Sequence, residues 1–117
     1  MAKTPFQRLT IVRLVTKDPP APNTPDDHRI QVDHIKYLGD LIEKGVVLAN
    51  GPVRRVDDSR LRGMTLYLVG IEEARNYANA DPAVIAGWFE IVADEWLIPV
   101  RPRAIADRAD LEIDVPE

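Results

Sequence analysis

Cysteine is absent from this chain of 117 residues. Its absence excludes disulfides, thiolate zinc sites, iron–sulfur clusters and a cysteine nucleophile. Serine occurs once, at Ser59 within a polar stretch, which argues against serine catalysis. Aromatic residues are scarce, at 6%. Apolar runs such as Val46-Val47-Leu48-Ala49 and Leu66-Tyr67-Leu68-Val69 are far too short to span a bilayer. Met1 to Leu9 lacks the apolar stretch of a signal peptide. Positive charge is not in excess, and the net charge of −4 argues against a general nucleic-acid binder. The expected class is a soluble cytoplasmic protein with neither nucleic acid nor membrane as partner. With 45% hydrophobic residues, a chain of this length holds one domain and buries roughly two-thirds of its unfolded surface.

Ten prolines punctuate the chain. Phe6 to Val15 is rich in β-formers with apolar residues on both faces, as in a central strand covered on two sides. Pro19, Pro20, Pro22 and Pro25 then make a stiff connection. Thr24-Pro25-Asp26-Asp27 predicts a helix start with Thr24 as N-cap, Pro25 in the first position and two carboxylates on the helix dipole. That helix runs to Lys44 and stops at Gly45. Ile30, Ile35, Leu38, Leu41 and Ile42 share one broad face; Arg29, Asp33, Lys36, Asp40, Glu43 and Lys44 share the other. Val46 to Val56 is a second strand. Gly51-Pro52 breaks it, which marks an edge or a bulge. Asp57-Asp58-Ser59-Arg60 is a polar turn, and Gly63 to Val69 a third strand. A second helix over Ile71 to Ala80 faces inward through Ile71, Ala74, Tyr77 and Ala78, and Asp81-Pro82 opens a further helical turn. Trp88 to Leu97 is a fourth strand or a strand with a helical neighbour. Beyond Ile98, Leu111, Ile113 and Val115 alternate with acidic residues, as in a late strand or a partner-facing arm.

Strand, helix, strand, strand, helix, strand in that order predicts an α+β, ferredoxin-like βαββαβ unit. It has a four-stranded antiparallel sheet and two helices on one face. Residues 1–98 form this domain and 99–117 the arm. The opposite sheet face has no helix, so a second copy of the chain is expected to cover it, giving a homodimer.

Two ionisable residues fall on inner faces. His34 lies between Leu38 and Leu41 on the helical wheel, with Gln31 in the same arc. A polar group there needs a hydrogen-bond partner, and a core histidine held by a backbone carbonyl would satisfy that need. Asp81 follows the inner face of the second helix, but Asp-Pro is also an ordinary N-cap and first-turn pair. Both helices pack on one sheet face, so the two side chains are candidates to meet. A carboxylate beside a histidine fixes its tautomer and stabilises its charged form, which makes a usable general base. Asn50, Gly51 and Pro52 are placed to line a cleft, because the Gly-Pro break bends the strand beside the first helix. Arg54, Arg55, Arg60 and Arg62 cluster at the hairpin; interleaved with Asp57 and Asp58, they read as a solvated turn rather than an anion site. His28 and His34 are six apart and diverge on a helix, so no shared metal is expected. There is no Gly-rich phosphate loop and no nucleophile elbow.

The segment His34-Ile35-Lys36-Tyr37-Leu38 with Leu41, Gly45, Val46 and Gly51-Pro52 resembles the first half of the YCII-related (YciI-like) family pattern. Glu73-Ala74 followed by Asn79-Ala80-Asp81-Pro82-Ala83-Val84-Ile85-Ala86-Gly87 resembles the second half. The likeness spans Leu9 to Pro99. Gln31 stands where the family often has arginine, and Ala83 where it often has an aromatic residue. The resemblance implies a ferredoxin-like protomer of a dimeric α/β barrel. It also implies a catalytic His–Asp pair at His34 and Asp81, no cofactor, and proton abstraction, elimination or isomerisation on a small organic molecule. A non-catalytic ligand-binding or accessory dimer, and a purely structural dimerisation unit, are the competing readings.

Overall fold

The computed structural model describes residues 3–57 and 59–116. Asp58 of the expected polar turn lies outside them. Five strands and three helices follow in the order β1 (Lys3–Thr16), α1 (Asp27–Glu43), β2 (Val47–Pro52), β3 (Leu61–Tyr67), α2 (Ile71–Asn79), α3 (Pro82–Ile85), β4 (Phe89–Pro99) and β5 (Glu112–Pro116), with a 3-10 turn at Ala109–Leu111 before the last strand. The antiparallel sheet runs β2-β3-β1-β4, the ferredoxin-like order. β1 is central, as its two-sided apolar pattern requires. β4 follows it from Phe6↔Pro99 to Thr16↔Phe89, which resolves the Trp88–Leu97 segment as strand. β2 sits at the edge, where Pro52 is tolerated.

The sheet has a fifth strand. β3 pairs with β1 only from Thr10 to Val15, and β5 pairs with the remaining end from Lys3 to Gln7. The late alternating stretch therefore completes one edge of β1, where an unpaired half-strand would have been left open.

Alternation along β1 assigns its side chains to two layers. Val12 packs with Val47, Tyr67, Leu41, Ala74 and Ala78 under α1 and α2. Leu9 faces the other way and packs with Leu68 and Leu111, with Ala106 and Ile98 against them. Gln7 has no exposed surface, and its amide organises the chain that follows β4. Its Nε2 donates to the Ala106 carbonyl at 2.7 Å, and its Oε1 accepts from the Ile105 and Ala106 N–H groups at 2.9 and 3.1 Å. This chain covers one end of the helix-free face. Further along the same face Val92 and Trp96 keep 41% and 47% of their surface exposed.

α1 differs from expectation at both its start and its inner face. Thr24 Oγ1 accepts from the Asp26 N–H at 3.3 Å, the capping bond expected of it, and Thr24 N–H and Oγ1 also donate to the Asp27 carboxylate, but the regular helix begins two residues later than Pro25 would place it. Gly45 terminates it at φ +75°, a conformation that disfavours side chains with a Cβ. The inward stripe is narrow: Leu41 is buried and His34, Tyr37 and Leu38 are half-buried, while Ile35 and Ile42 remain exposed. Ile35 borders a space between this helix and the β2–β3 hairpin, described below. Among the described residues, no helix is long and apolar enough to cross a membrane.

Gln7→Ala should remove the hydrogen bonds that a fully buried side chain makes to the segment after β4. The expected cost is about 2 kcal/mol in urea unfolding, with faster tryptic cleavage after Arg103. Unchanged stability and cleavage would show that the amide does not hold the arm.

Candidate functional site

α3 is a single turn, and it starts where Asp81 leaves the helical conformation of α2. Asp81 Oδ1 accepts from the Ala83 N–H at 2.9 Å, with Pro82 in the first helical position. The capping role expected of an Asp-Pro pair is therefore present. The same carboxylate is 1% exposed, and α1 crosses α3 at this point. His34 Nδ1 lies 2.8 Å from each of its oxygens. Capping and pairing, alternatives on sequence grounds, are both satisfied by one side chain. His34 is also held against an aromatic neighbour: its ring centroid is 6.1 Å from that of Phe89, tilted by 47°.

With Nδ1 donating to Asp81, Nε2 is the imidazole nitrogen left for a ligand. The His34 side chain keeps 14% of its surface exposed. A cavity of about 410 Å³, within the usual range for small-molecule sites, lies between α1 and the β2–β3 hairpin. Gln31, His34, Ile35 and Leu38 line it from α1, and Asn50, Gly51 and Pro52 from β2. Leu14, Met64, Thr65 and Phe89 supply most of the remaining wall. The residues singled out from sequence, His34, Gln31, Asn50, Gly51 and Pro52, are thus gathered around one space, and Asp81 sits behind His34. Asn50 also ties the hairpin to the helix, its Nδ2 donating to the Leu38 carbonyl at 3.3 Å.

One wall residue was not separated from its neighbours by sequence. Arg54, Arg55 and Arg60 are exposed around the hairpin, as a solvated turn would be. Arg62 is half-buried and lines the cavity. Strand alternation gives no signal for it, because it groups Arg62 with Met64 and Leu66 rather than with Tyr67, which packs under the helices. Among the described residues, no group of three His, Asp or Glu side chains is assembled to hold a metal.

Beneath the pair lies a tyrosine layer. Tyr37 donates to the Tyr77 carbonyl at 2.8 Å, and the Tyr67 and Tyr77 rings stack with centroids 6.4 Å apart. Burial raises the Tyr37 phenol above its ordinary 10.0, and the Asp81 negative charge and Tyr77 add to the rise. Burial pushes Tyr67 up further, helped by Tyr37, Asp81 and Tyr77.

No family model matches the chain, and no curated protein matches it. Among solved structures, it is similar to 5-chloro-2-hydroxyhydroquinone dehydrochlorinase from Burkholderia phenoliruptrix AC1100, in complex with 2,5-dihydroxybenzoquinone. The likeness has a TM-score of 0.50 at 19% identity and covers 75% of this chain and 92% of that one. At this identity it is a likeness of fold: the two chains share the ferredoxin-like α+β arrangement.

The raised tyrosines make stability fall at alkaline pH. The folded state retains phenolic protons that the unfolded chain loses near pH 10, so the stabilisation is full below that pH and declines above it. Urea midpoints between pH 8 and 11 should be flat and then drop, with tyrosinate absorbance rising as the protein unfolds. Tyrosinate formed in full by the native protein near pH 10 would contradict this.

Proposed function

We propose that the protein is a small cofactor-free enzyme of YciI type, acting in the cytoplasm on a small organic molecule. His34 is its general base and Asp81 the residue that orients and charge-stabilises it. One observation carries this: His34 is fixed by both oxygens of a buried carboxylate and at the same time lines a ligand-sized cavity. A histidine serving only to pin helices together has no need of the cavity. In the reaction Nε2 takes a proton from a C–H bond, and the electron pair left behind forms an enolate or a new double bond. In an elimination the leaving group departs with its bonding pair. Asp81 stabilises the imidazolium formed, and the proton is later returned to product or solvent. Gln31, Asn50, Gly51 and Pro52 bind the substrate beside the ring. The fold likeness to a dehydrochlorinase that carries a dihydroxybenzoquinone supports a search among small oxygenated rings.

The test is solvent-deuterium exchange and halide release over a panel of small carbon acids and halogenated dihydroxy aromatics, followed by NMR. His34→Asn should lower the rate about 10²–10⁴-fold, and Asp81→Asn should lower it less while changing the ¹⁵N signature of the His34 tautomer. Equal rates in wild type and His34→Asn would remove the base. Ligand binding that persists without any turnover would favour the accessory-dimer reading.

The assembly proposed with this function is a homodimer formed through the helix-free sheet face, the arm of residues 99–117 bordering the interface of the domain formed by 1–98. Exposed Val92 and Trp96 on that face support it. Ultracentrifugation at micromolar concentration should give twice the chain mass, and Trp96→Glu should give the monomer. A wild-type monomer under those conditions would dispose of the dimer.

A further inference from the structure

The cavity has a charge character that the protein as a whole does not share. The chain carries a net charge of −4. Yet among the described residues no Asp or Glu lines the cavity, whereas Arg62 does. The nearby carboxylate, Asp81, is buried behind His34 and occupied by it and by the Ala83 N–H. Arg62 Nη1 donates to the Ser59 and Leu61 carbonyls at 3.2 and 3.3 Å, which seats the guanidinium on the hairpin backbone. A guanidinium has five N–H donors in a planar fork, so this seating leaves donors for a ligand. Beside it the walls are apolar and aromatic, formed by Leu14, Leu38, Met64 and Phe89. Such a site holds a flat apolar body with one negative end, since an anion leaving water needs a paired cation with directed donors.

We infer that the cavity takes a small organic carboxylate, with Arg62 gripping the carboxylate end and the body lying along Phe89 toward His34. The inference deepens the proposed function and rests on it only for which end of the ligand reacts. Arg62 is a binding and specificity residue here, touching the charged end and leaving proton transfer to His34.

The experiment compares 2-hydroxybenzoate with its neutral counterpart 2-hydroxybenzamide, titrated into the full chain and followed by calorimetry and by the NMR shifts of the Arg62 and His34 side chains. The carboxylate should bind about tenfold more tightly than the amide. Arg62→Gln should bring the ratio close to one, while Arg62→Lys, which keeps the charge but not the fork, should fall between. If Arg62→Gln fails to fold, the wild-type ratio and its shrinkage with added salt still decide the matter. Equal affinity for the two probes overturns the inference, as does binding of neither at millimolar concentration, or a preference that survives Arg62→Gln. His34→Asn separates the two ideas. A preference that persists in a protein without His34-dependent exchange retains the anion site and removes the base. Exchange that depends on His34 without any carboxylate preference does the reverse.

Discussion

A carboxylate taken out of water must find donors, and Asp81 finds them on two separate helices. One comes from the backbone of its own turn and the other from the ring of a residue far away in sequence. Those bonds fix where α1 lies over α3 and therefore how far α1 stands from the β2–β3 hairpin. The stand-off is the cavity. Removing either partner would leave a buried polar group with too few bonds, at a cost of several kcal/mol. The position of the helix, the tautomer of the histidine and the mouth of the cavity thus depend on one buried acid.

The central strand supplies the frame that makes this possible. β1 is paired along both edges, with β4 on one side and β3 followed by β5 on the other. Its alternation sends Val12 beneath the helices and Leu9 toward the arm. With both edges paired and one face packed under the helices, a site built over this sheet is held more closely than one on loops alone. The cavity lies at the edge of the sheet, where Asn50, Gly51 and Pro52 of β2 face α1 across it.

The helix-free face divides the molecule's remaining apolar surface in two. Gln7 and the segment behind it close one end through backbone-directed hydrogen bonds. The rest of the face presents Val92 and Trp96. A polar side chain at the base of a strand does the closing, which hydrophobic patterning would never assign to a core.

Much of this was legible in the sequence because it is local. Period-2 and period-3.6 patterns, the Gly45 stop and the Asp-Pro pair each report the conformation of a few neighbouring residues, and the order of the first four strands and their helices stands as read, although α1 starts later, β2 ends at Pro52 rather than Val56 and a fifth strand joins the sheet. The inward position of His34 follows from the same periodicity. What one-dimensional patterning could not supply was distance between elements. Whether Asp81 caps or pairs, which of four neighbouring arginines lines the cavity, why Ile35 stays exposed, and where the last strand docks all depend on how far apart packed elements lie. That spacing is decided by the volume and hydrogen-bond needs of side chains from distant parts of the chain, and those are met only when the tertiary structure forms.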